Sequence, residues 1–182
     1  KRKGVPATFF YIGKNDAVRG GSKSLPRRAI AEGHSIAVHS YTHNYSYLYP
    51  GGRADAERVA SDYDKTVRAV RKAVGSTFST NSFRYPGGHM SWRGMRPADQ
   101  ALEKKGVSWI DWNAMNGDGE ANAPATSTAA AEYVNATLDS RENPNVAVIL
   151  LHDYKNNQLT IGALPMIIDN LQEKGYEFGV ID

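Results

Sequence analysis

The sequence predicts an α/β protein built on a largely parallel sheet or barrel. Three observations predict it. Six apolar runs of strand length alternate with amphipathic segments of helical spacing, with no internal repeat and no low-complexity linker. The 182 residues suit one domain with a full core. The composition, 41% hydrophobic and 23% charged, excludes a disordered tail, a coiled coil or a collagen-like rod.

Val5–Ile12 (VPATFFYI) reads as a buried strand entered from a Lys-Gly helix ending, so most of the preceding helix is expected to be missing from this chain. Ser24 caps a short helix with Pro26 in its first turn and Gly33 closing it. A strand over Ser35–Ser40 follows. The longest helix is expected from about Ala54 to Val74, with Ala56, Val59, Ala60, Tyr63, Val67, Val70 and Val74 on one face and an Asp64–Arg68 pair on the wet side. Ser82–Tyr85 is a short strand running into Pro86-Gly87-Gly88. A helix over about Pro97–Lys105 ends at Gly106, before an aromatic strand, Val107–Ala114. Ser127 and Thr128 open an Ala-rich helix reaching about Ser140. Val146–His152 is the continuous apolar run of a strand buried on both faces. The last helix is expected over Pro165–Lys174, stopped by Gly175, and Tyr176–Ile181 is the final strand.

Charge and composition narrow the function. Lys and Arg total 22 against 19 acidic residues, scattered except for Lys1-Arg2-Lys3, so the basic stripe of a nucleic-acid binder is absent. Slight basicity suits an anionic polymer such as a bacterial wall. No run reaches the roughly 18 apolar residues of a membrane span. Without cysteine, disulfides and thiolate sites are excluded, and any metal must be held by His and carboxylates. No signal peptide and no initiating Met are present, so the chain reads as an excised piece of a longer protein.

In parallel α/β folds chemistry sits at the carboxyl ends of strands, and chemically capable residues cluster there. After the second strand comes His39-Ser40-Tyr41-Thr42-His43, whose imidazoles four apart would share one metal ion from one side of a helical turn; two surface histidines would give the same pattern. After the third comes Arg84-Tyr85-Pro86-Gly87-Gly88, where glycine lets a ligand approach and the Gly87 N–H could meet an oxyanion, unless this is an ordinary turn beside a solvated Arg. Asp111, Trp112 and Asp118 follow the fourth. After the fifth, Leu150-Leu151-His152-Asp153 puts an imidazole at a strand mouth, where it can act as acid or base or simply bond a loop carbonyl. His34 precedes its strand and reads as structural, and His89 is open. Tyr41, Tyr45, Tyr47, Trp92, Trp109 and Trp112 are candidate sugar platforms or core.

The order GHSIAVHSYTH, RYPGG, an aromatic strand with acidic residues, then LLH, resembles the NodB-homology polysaccharide deacetylases, carbohydrate esterase family 4, across essentially the whole chain. RYPGGHMSW further resembles the Gram-positive peptidoglycan N-acetylglucosamine deacetylases. The resemblance implies a distorted seven-stranded (β/α) barrel, its first strand absent here, forming one catalytic domain over residues 1–182. It also implies metal-dependent hydrolysis of N-acetyl groups in a polysaccharide, most simply a peptidoglycan strand or chitooligosaccharide, at a bacterial cell surface. His39 and His43 match the metal-ligating histidines, Arg84 the arginine that orients the catalytic carboxylate, Leu150 the acetyl-pocket leucine and His152 the general acid. Gly87, Tyr85 and Trp112 fall at substrate-binding positions. Two His plus a carboxylate fit zinc, with cobalt, nickel and iron compatible.

The departures are equally specific. The family's Thr-Phe-Asp-Asp-Gly stretch, bearing the general base and third metal ligand, is nowhere in these residues. In the fourth motif Asp118 falls on the second Asp, Met115 on the first and Gly119 on the Trp, so either Asp111 or Asp118 could support His152. Two other functions compete: a carbohydrate-binding pseudoenzyme, and a related hydrolase acting on chitin-like, xylan or other substrates.

Overall fold

The computed structural model describes residues 3–15, 24–141 and 144–181. Lys1 and Arg2 of the basic run, and the Ser24 side chain expected as a cap, lie outside what is described. Two compact units result, Val5–Asp111 with the residues from Phe178 onward, and Trp112–Glu177 with residues 3–4.

The first unit holds a four-stranded parallel sheet in the order β1 (Thr8–Tyr11), β2 (Ser35–Val38), β3 (Ser82–Phe83), β4 (Ser108–Trp109). Thr8 to Tyr11 pair with Ser35 to Val38, and Val38 with Phe83. Helices α1 (Ser24–Ala31), α2 (Tyr45–Leu48), α3 (Ala56–Val74) and α4 (Arg96–Glu103) complete the unit. Helix α3 starts at Ala56 rather than Ala54 because the Asp55 side chain accepts from the Arg58 N–H and caps it. It buries Val59, Tyr63, Val67 and Val70 against Val38, Leu48, Phe83 and Leu102, and on the same face also buries Asp62 and Thr66. Asp64 pairs with Lys105 at 2.9 Å rather than along the helix with Arg68.

The aromatic strand expected over Val107–Ala114 is two strands. Ser108–Trp109 closes the first sheet, while β5 (Ala114–Met115) pairs in the second unit with β6 (Ile149–Leu150). The break has a cause: the Ile110 and Asp111 carbonyls accept from the Arg84 guanidinium and leave the ladder. The final strand is also corrected. Among the described residues 176–181 join no ladder, and the Thr8 hydroxyl bridges the Ile181 N–H and C=O in place of a neighbouring strand.

In the second unit α5 (Ser127–Asp139) packs on α6 (Gln158–Glu173) through Ala130, Val134, Leu138, Ala163, Ile167 and Leu171. Helix α6 begins seven residues before Pro165, because Asn157 caps it by accepting from the Thr160 N–H, and Pro165 is carried inside. Gly162 permits the close approach, since a Cβ there would strike the Ser127 side chain.

Candidate functional site

In the first unit the groups stand at the ends of β2 and β3. The His39 and His43 rings lie with centroids 4.8 Å apart, but not on a helical turn. Ser40 adopts φ 65° and His43 φ 57°, the left-handed region that non-glycine residues rarely enter. The loop is held in that form by the His43 N–H donating to Ser40 Oγ (2.9 Å) and the Tyr41 N–H donating to Asp62 Oδ2 (2.7 Å). Burial pushes the Asp62 carboxyl above its ordinary value, opposed by the Tyr41 amide and the Ser40 hydroxyl. His39 Nδ1 lies 2.8 Å from the Arg84 carbonyl, which can only accept, so Nδ1 carries the proton and the ring's lone pair sits on Nε2.

Arg84 is buried, with Nε donating to the Ile110 carbonyl (3.1 Å), Nη2 to the Asp111 carbonyl (3.3 Å) and Cζ 4.1 Å above the Phe10 ring. Burial pushes its pKa down to about 10, against the attraction of Asp111, so it remains a cation at neutral pH. The Asp111 carboxylate accepts the His89 N–H on both oxygens (2.9 and 3.0 Å) and so pins the turn after Gly88. His89 stacks on Trp109 (3.8 Å, 9°) with Nε2 3.0 Å from Asp99, which makes it structural. His34 is structural as well, its Nδ1 accepting from the Ala7 N–H.

The Tyr85 ring is fully buried, with its hydroxyl donating to Asp99 (2.9 Å). The whole residue is buried, which corrects the expectation that Tyr85 touches substrate. Gly87 has φ 78°, and a Cβ there would come within 3.1 Å of Trp92, whose indole N–H donates to the Pro86 carbonyl. Trp92 in turn stacks on Tyr49 (4.2 Å, 15°), while Tyr45 is exposed beside the His43 ring (5.2 Å).

The second unit carries the other group of residues. His152 Nδ1 is 2.6 Å from Asp118 Oδ1, so Asp118 and not Asp111 is its partner. Asp118 Oδ2 accepts from the His152 N–H (2.9 Å), Asn157 Nδ2 (2.9 Å) and the Thr160 hydroxyl (2.5 Å). Burial works to raise the Asp118 pKa, but these bonds, the His152 ring first, hold the carboxyl well below the usual carboxylate range. A permanent anion on Nδ1–H fixes the tautomer and makes Nε2 the atom at which His152 takes up or gives a proton. The ring rests on Gly119, where a Cβ would lie 2.5 Å from Cε1, so the glycine at the fourth motif's Trp position makes room for His152. Leu150 and Trp112 are half-buried.

The polysaccharide deacetylase family model matches residues 1–108, more than half of the chain. The chain belongs to this family. The chain superposes on a family 4 carbohydrate esterase of Streptococcus mutans with a TM-score of 0.92 at 37% identity, covering 100% of this chain and 76% of that one. It is 31% identical to the peptidoglycan-N-acetylglucosamine deacetylase of Bacillus cereus over 98% of its own length and 60% of that protein's. It is 30% identical to a bifunctional xylanase/deacetylase of Pseudobutyrivibrio xylanivorans, over 96% of its length and 25% of the relative's. The chain thus spans a quarter to three-fifths of the length of these curated relatives.

A divalent metal is implied by the family, and His39 and His43 fit two positions around one. They are adjacent, and a carbonyl bond fixes the protonation of His39, as is usual for metal-ligating imidazoles. Among the described residues no group of three His, Asp or Glu supplies a complete cation site, so a third ligand has to come from elsewhere. Sequence reasoning missed Asp62, Asn116, Asn157 and Thr160. Asn157-x-x-Thr160 ahead of an apolar-periodic run was the one available signal, a helix start.

Proposed function

We propose that residues 1–182 form the catalytic domain of a metal-dependent polysaccharide N-deacetylase, less the strand bearing the family's first motif. In this reading the fold is the family's distorted seven-stranded barrel, and the protein acts outside the cell or at its surface. The substrate is an N-acetylglucosamine unit in a bacterial wall glycan or a chitooligosaccharide, and the products are acetate and a glucosamine unit. No helix among the described residues is long and apolar enough to cross a membrane.

The observation that supports this most is the His152 imidazole fixed by its Nδ1–H on a buried, four-fold hydrogen-bonded carboxylate. An amide nitrogen is a poor leaving group until protonated, and His152 Nε2–H is the group that would protonate it. Asp118 keeps its negative charge throughout and steadies the imidazolium. Water adds its oxygen to the acetyl carbon while the first motif's carboxylate would take its proton, the C–N bond breaks, and the proton from Nε2 completes the amine. A divalent ion held by His39 and His43, of which zinc suits the ligand types best, would polarise the acetamide carbonyl and acidify the attacking water. Arg84 is the cation that would orient the carboxylate base of the first motif. The Gly87 N–H would receive the oxyanion, Leu150 would line the acetyl pocket, and Trp112 would meet the sugar.

Two measurements test this. Zinc affinity of this chain beside a His39→Ala, His43→Ala double variant should show stoichiometric metal lost in the variant. With the first motif present, acetate release from chitooligosaccharide and peptidoglycan should need divalent metal and fall at least ~100-fold in His152→Ala. Acetate released only from xylan would move the assignment to an esterase, and none from any glycan would make the chain a binding pseudoenzyme.

A further inference from the structure

Behind Asp118 lies a set of polar groups that the deacetylase reaction does not use directly. Asn116 is fully buried, and Thr160 and Asn157 nearly so. Their hydrogen bonds run in one direction. Asn116 Oδ1 accepts the Asp118 N–H (3.2 Å), which aims its amide nitrogen at Thr160 Oγ1 (2.8 Å). An amide nitrogen can only donate, so the Thr160 oxygen is an acceptor there, and its single hydrogen is left for Asp118 Oδ2 at 2.5 Å. Asn157 is oriented the same way. Its oxygen takes the Thr160 N–H (3.2 Å), and its nitrogen gives one hydrogen to Asp118 Oδ2 and one to the His152 carbonyl (2.8 Å).

Three donors therefore converge on Oδ2, while Oδ1 meets the imidazole alone. Donors on Oδ2 draw charge away from the oxygen that faces His152. We propose that Thr160 is a positioning residue that makes His152 a stronger acid, by drawing the Asp118 charge toward Oδ2 through a hydroxyl that Asn116 keeps pointed there. The proposal rests on the reading of His152 as the proton donor, but what it predicts about the imidazole can be observed without catalysis. The lowered pKa of Asp118 agrees with it, since the carboxylate is then an anion at neutral pH.

The sign separates this from a purely structural role. If the hydroxyl merely held Asp118 in place, its loss would loosen the 2.6 Å bond to Nδ1, and the imidazolium would lose support, so the His152 pKa would fall. If it draws charge away from Oδ1, its loss leaves a stronger acceptor facing His152, and the imidazole pKa rises. Among the described residues the charged or titratable groups facing His152 include Asp118, from the loop after β5, and Tyr154, with Asp153 and Lys155 following it in the chain. Helix α6 meets the network with uncharged Thr160 and its cap Asn157.

The test is an NMR titration of the His152 ring in the wild-type chain, Thr160→Val, Thr160→Ala and Thr160→Ser. The Val and Ala variants should raise the His152 pKa by about half a unit to one unit, and Ser, which keeps the hydroxyl, should restore the wild-type value. Ala stands in if the Val variant fails to fold. An unchanged or lowered pKa in the folded variants, or a Ser variant that behaves like Ala, overturns the proposal. A failed acetate-release assay would count against the deacetylase reading and leave this result intact.

Discussion

Replacing Asp118 by Asn keeps its size and removes its charge, and the structure gives the consequence in some detail. Four donors point at the carboxylate, one on Oδ1 and three on Oδ2. With its oxygen toward the three, the new amide sets an N–H against the His152 Nδ1–H; turned over, it sets its N–H group against all three. In the better orientation one charge-assisted bond worth about 1.5–3 kcal/mol is lost. The other three weaken by roughly half. Against that, a buried neutral amide is less costly to desolvate than a buried anion. The net expectation is about 2–4 kcal/mol of stability at neutral pH.

The same residue fixes a pH dependence. Unfolded, an aspartate ionises near 3.9, and in the fold Asp118 ionises well below that. The folded state then holds fewer protons, so the stabilisation is complete above about pH 5 and drains away as the pH falls below 4. Urea unfolding from pH 6 to pH 2 should show a steeper acid loss in the wild type than in Asp118→Asn, the two curves converging at the acid end. Parallel curves would refute the claim that this carboxylate is held ionised by its donors.

Other perturbations have equally definite outcomes. Asp62→Ala leaves the half-buried Tyr41 N–H without its acceptor and releases the 39–43 loop, so zinc affinity by chelator competition should fall about 10-fold or more; an affinity within twofold of wild type would remove Asp62 from the site's support. Arg84→Lys cannot serve two carbonyls and cover Phe10 at once, and should lower stability by about 1–3 kcal/mol, whereas an unshifted urea midpoint would mean those bonds are idle. Gly119→Ala puts a methyl 3.0 Å from His152 Nδ1 and should abolish the low-field NMR signal of the Nδ1–H proton, which survives if the backbone yields instead.

The parts legible in the sequence were those that local pattern dictates. The β1 and β2 runs, the buried stripe of α3 and the His at the mouth of β6 all follow from apolar spacing and strand ends. What escaped was decided by distant partners. Val107–Ala114 has the composition of one strand, but it breaks where Arg84, 26 residues away, takes the Ile110 carbonyl. Pro165 looked like a helix start until Asn157 supplied an earlier cap. Asp62 sits on the apolar face of α3, where a polar residue looks like an interruption; its reason is a main-chain N–H in the 39–43 loop. The choice between Asp111 and Asp118 turned on a 2.6 Å contact that no spacing rule contains.

The left-handed residues Ser40 and His43 bear on whether the histidine pair can be moved to another protein. An L-residue held at positive φ lies on the order of 1 kcal/mol above its relaxed backbone, and two of them lie within the run from His39 to His43. The strain is tolerated because β2, helix α3 and the Asp62 carboxylate constrain both sides of the loop. A synthetic peptide of the sequence His-Ser-Tyr-Thr-His would relax to ordinary negative φ and let the imidazoles drift apart. A graft onto a new scaffold would have to bring a strand end, a helix and a buried acid along with the five residues. The pairing belongs to the tertiary structure, and it should vanish on unfolding well before any covalent change to either ring.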